Sequence, residues 1–345
     1  MEQFWAKLKE FCDIPAPSGL EKEVRRKVIR EIEGSGAEYR TDPNGNLIVF
    51  KKGKHSRADG KKVLVAAHMD EVGFMVTHIS DEGYIHFDTI GGIDRRVISG
   101  RRLRFCKDGQ IGVVSSKAIH MQKKDERGVC EPVSEMLVDI GCKDRESAAK
   151  LVQIGDCMVF DTSFEEFGED RKLIKSKALD DRFGCAVMVD LIRSDLEYDT
   201  YFAFDTCEEI GCDGAKEVCY EIQPDIAIVL ESTTAGDIAG VPDEKCACKV
   251  FGGAVISHMD NGTIYDKELV ALALETAKEN GIPCQLKNIV AGGNDARSFQ
   301  TGAAGARVLA ISAPTRYIHS ASSVAAKEDL LSVGMLVKHV LERIN

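Results

Sequence analysis

VLVAAHMDE, residues 63–71, decides the architecture: five apolar residues run unbroken and then give way to His68, Asp70 and Glu71. Such a run, bounded by polar residues, predicts a strand over Val63 to Ala67. Open α/β sheets hold their ligands outside the carboxyl ends of their strands, so the residues just past each strand carry the chemistry.

The same form recurs along the chain. YFAFDTCEE (201–209) ends in Glu208 and Glu209, DIAIVLE (225–231) ends in Glu231, and ARVLAIS (306–312) leads into PTRYIHS (314–320) with His319. Helical patterns near 181–194, 265–280 and 323–343 alternate with these strands, as in an α/β domain. Toward the N-terminus, Ser18 followed by Glu21 predicts a capping box opening a charged helix to about Glu33. Asp42-Pro43-Asn44-Gly45-Asn46 is a turn signal before a strand from Leu47 to Lys51. Between 71 and 160 the texture changes to short runs such as FMVTHI, YIHFDTI, RRLRFC and GQIGVVSS, separated by glycines and charged turns, with one short helix near Arg145 to Leu151. The reading is an α/β domain formed by residues 1–70 and 161–345, interrupted by a β-rich insertion at 71–160.

Composition narrows the function. The chain has 345 residues, 44% of them hydrophobic, which suffices for a large core. Its 45 basic and 56 acidic residues give a net charge of −11, which argues against nucleic acid or an anionic membrane surface as partner. No apolar run approaches the roughly 18 residues of a membrane span. MEQFWAKLKEFC lacks the apolar core and cleavage site of a secretion signal, so a cytoplasmic protein is expected and its twelve cysteines are read as thiols. Cys246 and Cys248 have no second pair or histidine at zinc-finger spacing.

Two imidazoles, His68 and His319, and three carboxylates, Asp180, Glu231 and one of the pair Glu208-Glu209, are a donor set for a pair of divalent ions. Asp70, two residues beyond His68 along the strand, is placed to accept the other N–H of that imidazole. The adjacent Glu208 and Glu209 suit a division of labour in which one holds metal and its neighbour removes a proton from the attacking water. Each motif alone has an ordinary reading: a strand-end turn for His68 and Asp70, a solvated pair for Glu208 and Glu209, a helix cap for Asp180 and an exposed loop for His319. Their joint placement at successive element ends favours the metal reading.

With these residues in hand, the sequence resembles the dinuclear metallo-aminopeptidases that include glutamyl aminopeptidase and the tetrahedral TET peptidases, some carrying an endoglucanase label. The marks are PAPSG (15–19), AHMDEVGF (67–74), VDIG (138–141), KALDDRFG (177–184), Glu208-Glu209-Ile210-Gly211, AGD (235–237), GGNDA (292–296) and PTRYIHS. The resemblance spans nearly the whole chain. It implies a mixed-sheet, phosphorylase/hydrolase-like peptidase domain interrupted by a small β-barrel that makes dimer contacts, with dimers assembling into a tetrahedral dodecamer. It implies His68 and Glu231 on one metal, Glu209 and His319 on the other, Asp180 as the bridge, Glu208 as general base and Asp70 as the group orienting His68. The cofactors implied are two divalent ions, zinc first, with cobalt or manganese as alternatives, and the substrates are short peptides cleaved at a free N-terminus.

The chain departs from the family at Glu231, where Asp is commoner, and at Asn294, where Thr is commoner. Cys207 and Cys212 flank the Glu pair and read either as packing or as redox or ligand groups. Arg297 and Arg316 read either as attraction for an acidic substrate side chain or as salt-bridged structure. A two-metal deacylase, a glycosidase and a non-catalytic assembly subunit are the competing functions.

Overall fold

The computed structural model describes residues 2–125 and 127–344. Its spine is one large mixed sheet. At the centre, Thr200–Asp205, Val63–His68, Ile226–Thr234 and Arg307–Arg316 lie side by side and parallel, with Asp205 paired to His68 and Val229 to Ala66. Val63–His68 is buried along its whole length, which accounts for its unbroken apolar run: a strand packed on both faces has no solvent side to mark with polar residues. Antiparallel strands extend both edges, Leu47–Lys51 and Glu38–Thr41 on one side and Ser323–Ala326, Leu173–Ser176 and Glu165–Phe167 on the other.

Helix Leu179–Arg193 lies against Val63–His68 and Ile226–Thr234 and is buried on nearly every side, because Glu2–Asp13 and Lys22–Ile32 pack over it. The insertion is a closed antiparallel barrel of Gly73–Ile79, Ile85–Ile90, Leu137–Asp139, Ile111–Val114, Arg102–Phe105 and Cys157–Phe160. Alternate residues fill it, and Phe74 sits edge-on to Phe87 and Phe160 at 5.5 and 5.1 Å. The chain enters it at Gly73, where a Cβ would stand 2.7 Å from Pro17 and 2.9 Å from the Met158 carbonyl.

Two local expectations are corrected, and two helices come in addition. The capping box at Ser18 and Glu21 does not form: helix Lys22–Ile32 has no side-chain cap, because the Ser18 hydroxyl donates to Asp70 and Glu21 accepts from the Gly19 and Cys207 amides. The last helix begins at Lys327, and Ser323–Ala326 is a strand lying between Arg307–Arg316 and Leu173–Ser176 in the sheet. Helices Asp213–Ile222 and Ala296–Thr301 escape the sequence reading.

Candidate metal centre

The four parallel strands end together, and the groups beyond their ends converge. His68 is the last residue of its strand; Glu231 lies within Ile226–Thr234; Glu208 and Glu209 follow Thr200–Asp205; His319 follows Arg307–Arg316. Asp180 opens the buried helix with extended rather than helical backbone (φ −85°, ψ 110°). Its two carboxylate oxygens face different imidazoles, Oδ1 at 3.5 Å from His68 Nε2 and Oδ2 at 3.3 Å from His319 Nε2. Glu231 Oε1 is 3.4 Å from His68 Nε2, and Glu209 Oε2 is 3.3 Å from His319 Nε2. All five sequence-predicted ligand positions thus share one site, Asp180 between two halves.

Asp70 ties the halves together. The strand stops at His68, so Asp70 approaches from a turn rather than along a strand face, with Oδ1 3.4 Å from His68 Nδ1. It also accepts the Glu208 and Glu209 amides, both at 3.1 Å, and the Ser18 hydroxyl at 2.6 Å. One residue therefore sets both parts: His68 Nδ1 lies 3.1 Å from the Asp70 carbonyl as well as facing its carboxylate, and that carboxylate holds the loop carrying both glutamates. His319 Nδ1 is 2.8 Å from the Gly92 carbonyl, a contact supplied by the barrel.

A second buried charge network frames the site. Glu71 pairs with Lys177 Nζ at 2.7 and 2.9 Å and with Arg182 Nη2 at 3.4 Å, and it accepts the Ala16 amide. Arg182 also donates to the Phe11 and Ile14 carbonyls. Glu71 is adjacent to Asp70 and the two cations bracket Asp180, so the network fixes both ligand-bearing segments.

The electrostatics of the cluster are set by burial and by the mutual action of its carboxylates and imidazoles. Burial lifts Glu209 to about 8, only partly offset by His319, and holds Glu231 well above the usual carboxylate range, with Asp180 adding repulsion. Burial works against a charge on His319, but Asp180 and Glu209 outweigh it and raise the imidazole to about 9; His68 is raised in the same way by Asp180, Asp70 and Glu231. Asp180, despite its burial, is driven down by the two imidazoles. Glu208 is raised by burial and by Asp180 and Asp70. His68 Nε2 and Glu231 Oε2 are buried without a hydrogen-bond partner. Buried polar atoms are normally satisfied, and two orphans of ligand type aimed into a mixed imidazole and carboxylate cluster fit divalent ions. A cavity of about 130 Å³ opens on this cluster, lined by Glu208, Thr233, Asp260, Lys287, Asn294 and Ile318 among others. Larger hollows, about 490 Å³ on the barrel and about 760 Å³ against the first helix, are lined by no such cluster.

Residues 45–336 match the family described as M42 glutamyl aminopeptidase. This chain belongs to that family. As an M42 member it is a peptide hydrolase, which sets aside the glycosidase reading. A putative aminopeptidase of Acetivibrio thermocellus is 40% identical over 333 residues, covering 95% of this chain and 96% of the relative. The lysyl aminopeptidase of Pyrococcus furiosus is 30% identical, covering 99% and 97%. Among solved structures, a TET aminopeptidase from Thaumarchaeota archaeon SCGC AB-539-E09 superposes with a TM-score of 0.94 at 31% identity, covering 100% of this chain and 97% of the other. The Pyrococcus horikoshii TET1 peptidase, which can assemble into a tetrahedron or a large octahedral shell, superposes at 0.85 with 32% identity over 98% and 99%.

The remaining residues singled out in the sequence fall into place around this M42 centre. Arg316 pairs with both Asp237 oxygens at 2.9 and 2.6 Å. Arg297 is exposed beside Gly262. Asn294 is held in its loop by Tyr265 and the Ala296 amide. Cys207 Sγ lies 3.7 Å from Glu21 Oε1, and Cys212 Sγ lies 3.5 Å from Glu208 Oε1. Lys287 and Asp260, which sequence reasoning passed over, stand on the cavity wall.

Proposed function

We propose that this chain is a dinuclear-metal aminopeptidase that removes N-terminal residues from short peptides. The observation that carries the reading is the pair of imidazoles facing opposite oxygens of Asp180, each with its own glutamate. His68 and Glu231 would hold one ion, Glu209 and His319 the other, and Asp180 both. Such ions, zinc before cobalt or manganese, supply Lewis acidity toward water and a peptide carbonyl. Glu208 Oε accepts the proton of the attacking water and returns it to the leaving amine; its upward displacement brings it toward working pH. Asp70 fixes His68 and, through two amides, the aim of Glu208. The carboxylate excess at the cavity attracts a free α-ammonium, which restricts cleavage to unblocked N-termini.

We further assign residues 71–160 as the dimerisation module and residues 1–70 and 161–345 as the catalytic part, with dimers building a tetrahedral dodecamer like that of the Pyrococcus horikoshii relative. Exposed apolar side chains on the insertion, Ile119, Met121, Val129 and Ile154, support the assignment. We also place the protein in the cytoplasm, where its cysteines, free thiols among the described residues, would stay reduced. The test is metal-stripped protein re-supplied separately with zinc, cobalt and manganese against free and N-acetylated aminoacyl and short-peptide substrates. Metal-dependent release of the first residue from free N-termini alone is expected. Cleavage of blocked substrates alone would make the chain a deacylase, and silence with every metal would make it an assembly subunit.

A further inference from the structure

A second cluster of ligand-type groups shares Glu208 and has no part in the proton transfer assigned to it. One ligand atom each from Glu208, Cys212 and Asp295 lie within 4.8 Å of one another. They come from three places: the loop after strand Thr200–Asp205, the residue before helix Asp213–Ile222, and the residue before helix Ala296–Thr301. Asp295 is 1% exposed, and its Oδ1 has no hydrogen-bond partner. Beside it stands Asp205, 0% exposed, whose carboxylate faces the Asp295 carboxyl and accepts from no other donor among the described residues. Glu208 and Cys212 are half-buried and the two aspartates fully so, and the basic group that acts on both aspartates is His68, already engaged by Asp70, Asp180 and Glu231.

Buried carboxylates need a compensating partner, a proton or a cation. Burial pushes Asp205 up to about 8 and Asp295 upward as well, which describes protons filling the place when nothing else does. The donor set is selective. Cys212 is held as the thiol, pushed up by burial and by Asp295 and Glu208; on binding a divalent ion it would release that proton to solvent, and a thiolate beside two carboxylates suits zinc or cadmium, whereas magnesium and calcium take oxygen ligands alone.

We propose that Glu208, Cys212 and Asp295, backed by Asp205, form a third, inhibitory site for a zinc- or cadmium-class divalent ion. An ion there occupies the Glu208 lone pairs that otherwise accept the proton of the attacking water, so metal in excess of the resident pair arrests turnover. The inhibitory half of this proposal rests on Glu208 being the general base; the binding half does not.

The test uses the metal-loaded enzyme titrated with cadmium chloride, following turnover and the ultraviolet thiolate-to-cadmium charge-transfer band together. One further ion is expected to raise the band while turnover falls in step. Cys212→Ser should lose the band and raise the cadmium concentration that halves its own rate by roughly 10–100-fold, the range for a disturbed metal shell. Asp295→Asn should keep the thiol and shift both signals to higher cadmium. No band in the parent enzyme, or an equal band in Cys212→Ser from the other cysteines, overturns the site. A Cys212-dependent band with undiminished turnover overturns the inhibition, and full activity in Glu208→Gln overturns the base assignment instead, so the two failures are read separately.

Discussion

Asp70 does more than orient a histidine. Its oxygens accept the Ser18 hydroxyl and the two amides of Glu208 and Glu209 while facing His68 Nδ1, a set that only a carboxylate with both oxygens free to accept satisfies. Asp70→Asn should lower metal affinity by roughly 10–100-fold, read as faster loss of bound ion to a chelator, and lower turnover with it. Ser18→Ala removes one contact and leaves His68 held, so a metal loss equal to that of Asp70→Asn would sink this assignment. Glu208→Gln should separate binding from chemistry: metal content unchanged, turnover down by roughly 10²–10⁴, the usual contribution of a positioned base. Retained activity at full metal content would remove Glu208 from the proton path. The positions of these residues were legible in sequence because each ends or follows a strong apolar run. The partners of Asp70 were not, since Ser18 lies 52 residues away and its own neighbourhood reads as a helix cap.

At the scale of elements, the segment entering helix Leu179–Arg193 is held less by helix propensity than by charge. Asp180 and Asp181 depart from helical dihedrals, while Lys177 and Arg182 on either side reach Glu71 across 106 and 111 residues of sequence. Gly184 is required there, because a Cβ would stand 2.3 Å from Asp181 Oδ2. Glu71→Ala leaves two cations buried with no carboxylate, and such a change costs about 3–5 kcal/mol. Denaturant unfolding is expected to show that loss, with metal binding weakened because Asp180 loses its frame; a variant as stable as the parent would show the network to be incidental. Pairings of this kind are invisible to periodicity, which explains why the central strands and long helices were legible and the network was not. The same physics defeats the capping box: Ser18 and Glu21 have better partners in the tertiary structure than in their own helix. Ser323–Ala326 lies inside the sheet and is buried, so its apolar run reads equally as the start of the following helix.

For the whole molecule, the metal centre couples stability to pH with a definite sign. His68, His319, Glu209 and Glu231 all hold protons more tightly in the folded metal-free chain than their ordinary values of 6.5 and 4.5. Groups raised on folding stabilise fully below their unfolded values, and that stabilisation is lost as pH rises through the folded ones, about 8 for Glu209 and about 9 for His319. Asp70 and Asp180 are lowered from 3.8 and act only in more acid solution, so between pH 5 and pH 9 they do not oppose the trend. The metal-stripped protein should therefore lose thermal stability steadily over that window. Divalent ions need neutral imidazoles and ionised carboxylates, so binding releases these protons and strengthens as pH rises. The net charge of −11 also disfavours the folded chain at high pH, but it acts on loaded and stripped protein alike. The decisive quantity is thus the difference in Tm between the two, measured by calorimetry. It should widen from pH 5 to pH 9, with proton release detected in buffers of different ionisation enthalpy, and a difference constant across that range would mean that these imidazoles and glutamates do not hold the metal.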